Sequence, residues 1–137
     1  MMVVAIAFAA LAVGYLVLQS QGFLGQGGAE GVPRVSAPEF KQLLEKTPDA
    51  ILLDVRTPEE YREGHLAKSI LIPVDRVASS APGVLTKKDV PLLVYCRSGN
   101  RSQSAVRTLK KLGYTNVTEL STGIIGWSRA GYSVVRD

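Results

Sequence analysis

The sequence predicts an α/β fold in which an open, mainly parallel sheet of about five strands has helices on both faces. Two observations lead to this prediction. Short, continuously apolar runs such as Leu92–Tyr95 are typical of strands that are covered on both faces. These runs alternate with segments of helical periodicity such as residues 102–112, and strands that alternate with helices indicate a parallel sheet.

The first half of the domain contains signals for helices and strands in alternation. Ser36 and Glu39 form a capping-box pattern ahead of an apolar stripe, which predicts the start of a helix. Pro58 is followed by two glutamates, which suits the first turn of a short helix. The predicted order is a helix from Ser36, a strand at 50–53, a short helix from Pro58, a strand at 69–72 ended by Pro73, and a helical turn at 74–78.

The second half repeats this alternation. Apolar residues of segment 102–112 fall on one face of a helix, and Gly113 is suited to the position just after its end. The predicted order is a strand at 92–95, a helix at 102–112, a strand at 117–120 and a short helix at 123–129.

Composition excludes several classes of protein. The formal net charge is +4, but we find no block of like charges and no aromatic stacking set, so we expect no nucleic-acid partner. A single cysteine excludes an internal disulfide and a zinc site with several cysteines.

The N-terminal residues 1–18 contain no charged side chain, and Glu30 is the first charged residue of the chain. This length is close to the lower limit for a transmembrane helix. A cleaved signal peptide is an alternative, but the basic region that precedes its apolar segment is missing. A buried helix would show a polar face. We therefore expect a single membrane anchor at 1–18 with its orientation open, a glycine-rich linker at 19–32, and one folded domain at 33–137.

The chemically informative segment is the loop from Cys96 to Ser102. Its cysteine follows an apolar strand, so the sulfur is expected at the carboxyl edge of the sheet, where open α/β sheets bind ligands. Gly99 and Asn100 tolerate positive φ, and successive loop amides ahead of a helix can bind an anion. Such surroundings favour a thiolate. We predict Cys96 as a nucleophile rather than an inert buried cysteine, with substrate bound by Arg97, Ser98, Gly99, Asn100, Arg101 and Ser102.

This loop resembles that of the rhodanese family of sulfurtransferases, and two further motifs extend the resemblance over about residues 34–137. Asp54-Val-Arg56-Thr-Pro-Glu-Glu-Tyr-x-x-Gly-His65-Leu is similar to the family's N-terminal signature, and Gly123-Ile-Ile-Gly-Trp127 to its C-terminal one. Three short segments depart from the family pattern at positions that are structural in the family: Lys68-Ser69, Leu71-Ile72-Pro73 and Thr122-Gly123.

The resemblance implies a double displacement. A Cys96 thiolate attacks the outer sulfur of thiosulfate or a similar anionic donor, sulfite leaves, and a persulfide remains on Cys96. A thiol, cyanide or a protein acceptor then takes the sulfur. The resemblance also implies that the loop amides hold the persulfide and that Arg97 and Arg101 bind the oxyanion of the donor. This is covalent catalysis in two half-reactions, and the resemblance implies that it needs no metal and no organic cofactor.

Residues near the predicted loop have less specific roles. Asp54 and Arg56 end a strand at the same edge as Cys96, where they either shape the site or form a structural ion pair. His65 is the single histidine, and the resemblance implies a structural role for it rather than that of a base. Trp127 is expected in the core. Ser102 is expected to cap its helix and to donate to the thiolate.

Two other functions remain open. A rhodanese-like module can serve as a sulfur carrier or a binding domain, and a membrane anchor mildly favours delivery to one partner protein. Related phosphatases and arsenate reductases also use a cysteine in an anion-binding loop, but their loop is typically one residue longer. The six residues from Cys96 to Arg101 match the sulfurtransferase length.

Overall fold

Five short strands form one sheet in the computed structural model, which describes residues 31–137. The strands are β1 (Arg34–Val35), β2 (Ile51–Asp54), β3 (Ile70–Leu71), β4 (Leu92–Tyr95) and β5 (Val117–Leu120). Their order across the sheet is β1-β5-β4-β2-β3, and every neighbouring pair is parallel. The predicted α/β fold with a parallel sheet is therefore confirmed.

The connections between strands place helices on both faces of the sheet. The helices are α1 (Ala37–Lys46), α2 (Pro58–Glu63), α3 (Val77–Val84, preceded by a 3₁₀ turn at Val74–Arg76), α4 (Arg101–Lys111) and α5 (Gly123–Arg129). Ser36 caps α1 by accepting from the Glu39 amide, and Thr57 forms a complete capping box with Glu60 at the start of α2.

Alternation of side chains along the strands produces two cores, one on each face. One core lies under α3 and α4 and includes Val94, Ala105 and Leu109. The other lies under α1 and α5, where Trp127 packs edge-to-face against Phe40 with ring centroids 6.4 Å apart. Val32, at the end of the predicted linker, is buried in the first core.

The predicted anchor at 1–18 and most of the predicted linker at 19–32 lie outside the described residues. Within residues 31–137, no helix combines the length and the apolar character needed to cross a membrane.

Two elements differ from the sequence-based expectation. The strand β1 is only two residues long, and no strand was predicted there. The predicted turn at 74–78 continues as α3 to Val84, although Pro82 lies inside this helix. Pro82 lies in the last turn, where its missing N–H removes only one helical hydrogen bond, and the buried side chains of Val77 and Ala81 hold the helix on the sheet.

The turn before β3 contains the departure from the family pattern at Lys68. Its φ is +68°, the left-handed region that glycine adopts without cost. We expect Lys68→Gly to raise the free energy of unfolding by about 0.5–1 kcal/mol, because the strain at the Cβ is removed. Urea unfolding measures this, with Lys68→Ala as the control. Since alanine keeps the Cβ, an equal gain in both variants would contradict the role of backbone strain.

Because all strands are parallel, their carboxyl ends meet at one edge of the sheet. Asp54 ends β2, Cys96 directly follows β4, and Ser121 directly follows β5. The fold thus brings these three positions to the edge where α/β sheets bind ligands.

Candidate active site

The first residues of α5 form hydrogen bonds with the loop that follows β4. The amide of Ile124 donates to the carbonyl oxygen of Cys96 (2.9 Å), and the amide of Ile125 donates to that of Arg97 (3.1 Å). The first amides of a helix have no partner inside the helix, so these bonds satisfy both groups. Gly123 approaches the same carbonyl groups closely, since a Cβ there would lie 2.3 Å from the Arg97 oxygen. The C-terminal motif therefore positions the cysteine loop.

The sulfur of Cys96 lies at the floor of this loop, and the residue is only 1% exposed. The amide of Gly99 donates to Sγ (3.1 Å), and the thiol donates to the hydroxyl of Ser102 (3.4 Å). The Gly99 N–H points at the sulfur, and a donor in this position can also stabilise a negative charge on it. The geometry therefore suits a thiolate at Cys96.

Gly99 makes the loop possible through its conformation and its size. Its φ is +97°, and a Cβ at this position would lie 2.0 Å from the carbonyl oxygen of Ser121. The guanidinium of Arg34 donates to the carbonyl oxygens of Gly99 (3.1 Å) and Ser121 (3.3 Å), which fixes the loop against the end of β5. A side chain at residue 99 would separate these two segments.

The hydroxyl of Ser102 also contacts a buried carboxyl group. It donates to Oε1 of Glu119 at 2.5 Å, and both residues are fully buried. Burial raises the pKa of the Glu119 carboxyl, while the hydrogen bond from Ser102 and the nearby charge of Arg34 act in the opposite direction. Arg34 Nε lies 3.2 Å from Oε2, although the two atoms are not in hydrogen-bonding geometry. A network of Cys96, Ser102 and Glu119 thus links β4, α4 and β5.

Arg101 is paired with a carboxylate of α2. Its two terminal nitrogens donate to the two carboxylate oxygens of Glu60 at 2.6 and 2.8 Å. The hydrogen bonds from Arg101 lower the pKa of Glu60 to about 2, so this carboxylate is charged at neutral pH. The pair joins the N-terminal motif to the cysteine loop. Glu60 therefore partly neutralises the positive charge of Arg101.

The structure separates the predicted loop residues into two groups and Arg101, which is paired with Glu60. Gly99 and Ser102 contact the sulfur directly. The side chains of Arg97, Ser98 and Asn100 are exposed and form the rim of the loop. Within residues 31–137, the guanidinium of Arg97 forms neither a hydrogen bond nor an ion pair, so it is available to an anion at the rim.

Asp54 and Arg56 form a buried ion pair beside the loop. Nη2 of Arg56 lies 2.7 Å from Oδ2 of Asp54, and it also donates to the carbonyl oxygen of Gly64 at 2.7 Å. The guanidinium lies 5.6 Å from the centre of the Tyr95 ring. These contacts connect the end of β2 to the turn after α2, and the structure shows no contact of either side chain with Cys96.

The imidazole of His65 has partners other than the cysteine. Nδ1 lies 2.9 Å from the carbonyl oxygen of Tyr61, and the ring stacks on that of Tyr61 with centroids 3.7 Å apart. Nε2 lies 2.5 Å from a carboxylate oxygen of Asp137, and the His65 backbone pairs with Val135. These contacts attach the C-terminal segment to the turn after α2.

An open cleft of about 380 Å³ borders the loop between α2 and α5. Its lining includes Glu60, the partner of Arg101, and Ile124 and Ile125, whose amides hold the loop. A second cleft of about 480 Å³ lies between α1 and the turn before β3, and none of its lining residues belongs to the loop. No residue of the loop lines the first cleft either, but its lining residues Glu60, Ile124 and Ile125 form hydrogen bonds with the loop, so this cleft is the nearer of the two to Cys96. Within residues 31–137 no group of three acidic, histidine or cysteine side chains could hold a metal ion.

Three residues of this site were not identified from the sequence: Arg34, Glu60 and Glu119. One signal was present for Glu119, because it lies two residues after Val117 in the same strand and so shares its buried face. A charged residue at a core-facing position needs a partner. The partners of Arg34 and Glu60 lie 65 and 41 residues away, so no local pattern indicated them.

Comparisons with known proteins agree with this architecture. A family model described as a rhodanese-like domain matches residues 36–130. A sulfurtransferase of Allochromatium vinosum is 34% identical over 104 residues, which cover 76% of this chain and 95% of that protein. A Bacillus subtilis protein provisionally named as a sulfur carrier is 33% identical over 125 residues, which cover 83% of this chain and 66% of that protein.

A solved structure supports the same relationship at the level of the fold. The rhodanese-related protein of Thermoplasma volcanium is 32% identical, with a TM-score of 0.66, and the match covers 76% of this chain and 98% of that one.

Proposed function

Because this chain belongs to the family of rhodanese-like domains, we propose that it transfers sulfane sulfur from thiosulfate or a similar donor through a persulfide on Cys96. One observation carries the proposal: Sγ of the single cysteine accepts a hydrogen bond from the Gly99 amide and contacts the Ser102 hydroxyl at the floor of the loop that follows β4. The thiolate is the nucleophilic form of cysteine, and the Gly99 amide is placed to donate to it.

In the first half-reaction, the thiolate attacks the outer sulfur of the donor. The bond between the two donor sulfurs breaks, sulfite leaves with the electron pair, and a persulfide anion remains on Cys96. The charges balance, because one thiolate and one dianion give one persulfide anion and one dianion. The Gly99 amide and the exposed Arg97 side chain support the negative charge at this stage.

In the second half-reaction, a thiophilic acceptor attacks the terminal sulfur of the persulfide. The sulfur–sulfur bond breaks, the acceptor takes the sulfur, and the Cys96 thiolate is restored. A thiol, cyanide or a protein thiolate can fill this role. The cleft between α2 and α5, whose lining residues Glu60, Ile124 and Ile125 contact the loop, is the place that we propose for such an acceptor.

Intact-protein mass spectrometry tests both half-reactions. Thiosulfate should add the mass of one sulfur atom to the protein, and cyanide should remove it. An absence of any adduct with several sulfane donors would contradict the proposal. Assays with phosphate esters and arsenate would then test the alternative of a related Cys-dependent phosphatase or arsenate reductase, which the six-residue loop does not favour.

Arg101 is the residue whose contribution to donor binding is easiest to test. We expect Arg101→Ala to raise the KM for thiosulfate about five- to tenfold, with a smaller effect on kcat, because a cation next to the loop is lost. Steady-state kinetics with thiosulfate and cyanide measure the change. Lys111→Ala, at the far end of the same helix, is the control for the loss of one positive charge.

A second variant separates anion binding from positioning of the loop. Glu60→Gln removes the ion pair with Arg101 but keeps the guanidinium. If Arg101 binds the donor, Glu60→Gln should leave the KM unchanged or lower it. An equal increase of the KM in Glu60→Gln and Arg101→Ala would mean that the ion pair only positions the loop.

A sulfur carrier is the second candidate, favoured by the name given to the Bacillus subtilis relative. Carrier and enzyme share the persulfide and differ in the second half-reaction. A carrier should turn over slowly with cyanide or small thiols but transfer its sulfur quickly to one protein partner. Single-turnover transfer from the isolated persulfide form to small thiols distinguishes the two.

We also propose that residues 1–18 attach the domain to a membrane, with the side of the membrane left open. The support is their uninterrupted apolar character. The full chain should remain with the membrane fraction after a high-salt wash, and a chain that begins at residue 31 should not. Release of the full chain by salt alone would contradict this attachment.

A further inference from the structure

The buried network behind the sulfur links Cys96 to a carboxyl group without contact with solvent. The thiol lies 3.4 Å from the Ser102 hydroxyl, and that hydroxyl lies 2.5 Å from Oε1 of Glu119. The three residues are 1%, 0% and 0% exposed. Because a hydroxyl both donates and accepts, a proton can pass through Ser102 in either direction.

We propose that Glu119 is a positioning residue that acts through Ser102 as the internal base of the site, so that Cys96 becomes a thiolate without releasing its proton to solvent. This inference rests on the proposed role of Cys96 as a nucleophile. It explains why the carboxyl group of Glu119 lies in the core beside the loop.

The transfer is balanced within the network. The S–H bond of Cys96 breaks, and its proton moves to Oγ of Ser102. The hydroxyl releases its own proton to Oε1 of Glu119, and the electron pair stays on Sγ. The network carries one negative charge before the transfer, on the carboxylate, and one after it, on the sulfur.

The surroundings of Glu119 suit this role. Burial raises the pKa of its carboxyl group, so it accepts a proton more readily than a surface carboxylate does. The groups that face it are Arg34 of β1, Cys96 after β4, and Ser102 and Arg107 of α4. The two charged neighbours, Arg34 and Arg107, are guanidinium groups that keep their protons. Among the groups within residues 31–137 that face Glu119, the Cys96 thiol is therefore the one that can supply it with a proton.

A structural role for Glu119 makes a different prediction. Glu119 and Arg34 also join β1, β5 and α4, and a purely structural pair would affect stability alone. If the carboxyl and the thiol share one proton, the two groups titrate together. Between the two ionisations of the pair, the thiolate fraction is then independent of pH.

The rate of Cys96 alkylation by iodoacetamide reports this fraction, since the thiolate is the reactive form. In the full chain, the alkylation rate should be constant over a range of acidic pH (a plateau) and should rise again at alkaline pH. Glu119→Gln should lose the plateau and follow one ionisation. At about pH 5.5 we expect it to react at least about tenfold more slowly than the wild type, with equal rates near pH 10. Glu45→Gln, on the exposed face of α1, is the matched control.

Variants of Ser102 test the path of the proton. Ser102→Ala should lose the plateau although Glu119 is kept, and Ser102→Thr should restore it because the hydroxyl returns. A profile of Glu119→Gln that runs parallel to that of the wild type would overturn the proposal. Alkylation needs no sulfur donor. A missing persulfide would therefore contradict the proposed function. An unchanged pH profile of alkylation in Glu119→Gln would contradict the role of Glu119 as internal base.

A measurement on well-folded protein covers the case in which Glu119→Gln does not fold. The infrared band of a protonated buried carboxyl group should persist to higher pH in the wild type than in Cys96→Ser. The reason is that serine supplies no proton to Glu119. Identical titration of this band in both proteins would contradict the shared proton.

Discussion

Replacement of Cys96 by serine is expected to abolish sulfur transfer while leaving the fold intact. The chain has one cysteine, so no second thiol can form the persulfide. We expect turnover to fall at least about 10³-fold, as is usual when a covalent nucleophile is removed. The free energy of unfolding should change by about 1 kcal/mol or less, because the new hydroxyl can use the Gly99 amide and the Ser102 hydroxyl as partners.

Two measurements on Cys96→Ser check this expectation. Mass spectrometry after treatment with thiosulfate should show no added sulfur, and urea unfolding should give a midpoint close to that of the wild type. Retained turnover would overturn the assignment of the nucleophile. A large loss of stability would instead show that the thiol is needed for packing of the loop.

The sequence indicated the local part of the candidate site. Cys96, Gly99 and Ser102 lie within seven residues, from the end of a strand to the first turn of a helix, and the type of each residue suggests a role in such a loop. The parallel sheet was predictable for the same reason, because its strands and helices alternate along the chain. These predictions need no knowledge of distant contacts.

The remainder of the site depends on contacts that are distant in the chain. Arg34 contacts Gly99, Arg101 contacts Glu60, and each pair forms only because the parallel strands bring their ends together. The strand β1 was missed because two residues carry no periodic signal, and its pairing with β5 defines it. The helix α3 was predicted only as a turn at 74–78. Its last part contains Pro82 and Gly83, which disfavour a helix locally, and the packing of Val77 and Ala81 maintains it.

Substitution of Gly99 by alanine is expected to damage both the fold and the chemistry. The φ of +97° is strained for alanine, and the added Cβ would lie 2.0 Å from the carbonyl oxygen of Ser121. The backbone must therefore move, and the amide of residue 99 moves away from Sγ. A displacement of about 1 Å near a reacting atom lowers activity about 10²-fold, so we expect a loss of at least this size.

Gly113 provides a control with the same backbone conformation. Its φ is also +97°, but a Cβ at this position meets nothing within 4 Å. Gly113→Ala should therefore cost about 1 kcal/mol through conformational strain alone, with sulfur transfer unchanged. Gly99→Ala should cost at least about 2 kcal/mol and lose activity as well. Equal losses of stability in the two variants, with activity retained in both, would show that the close contact of Gly99 with Ser121 does not position the loop.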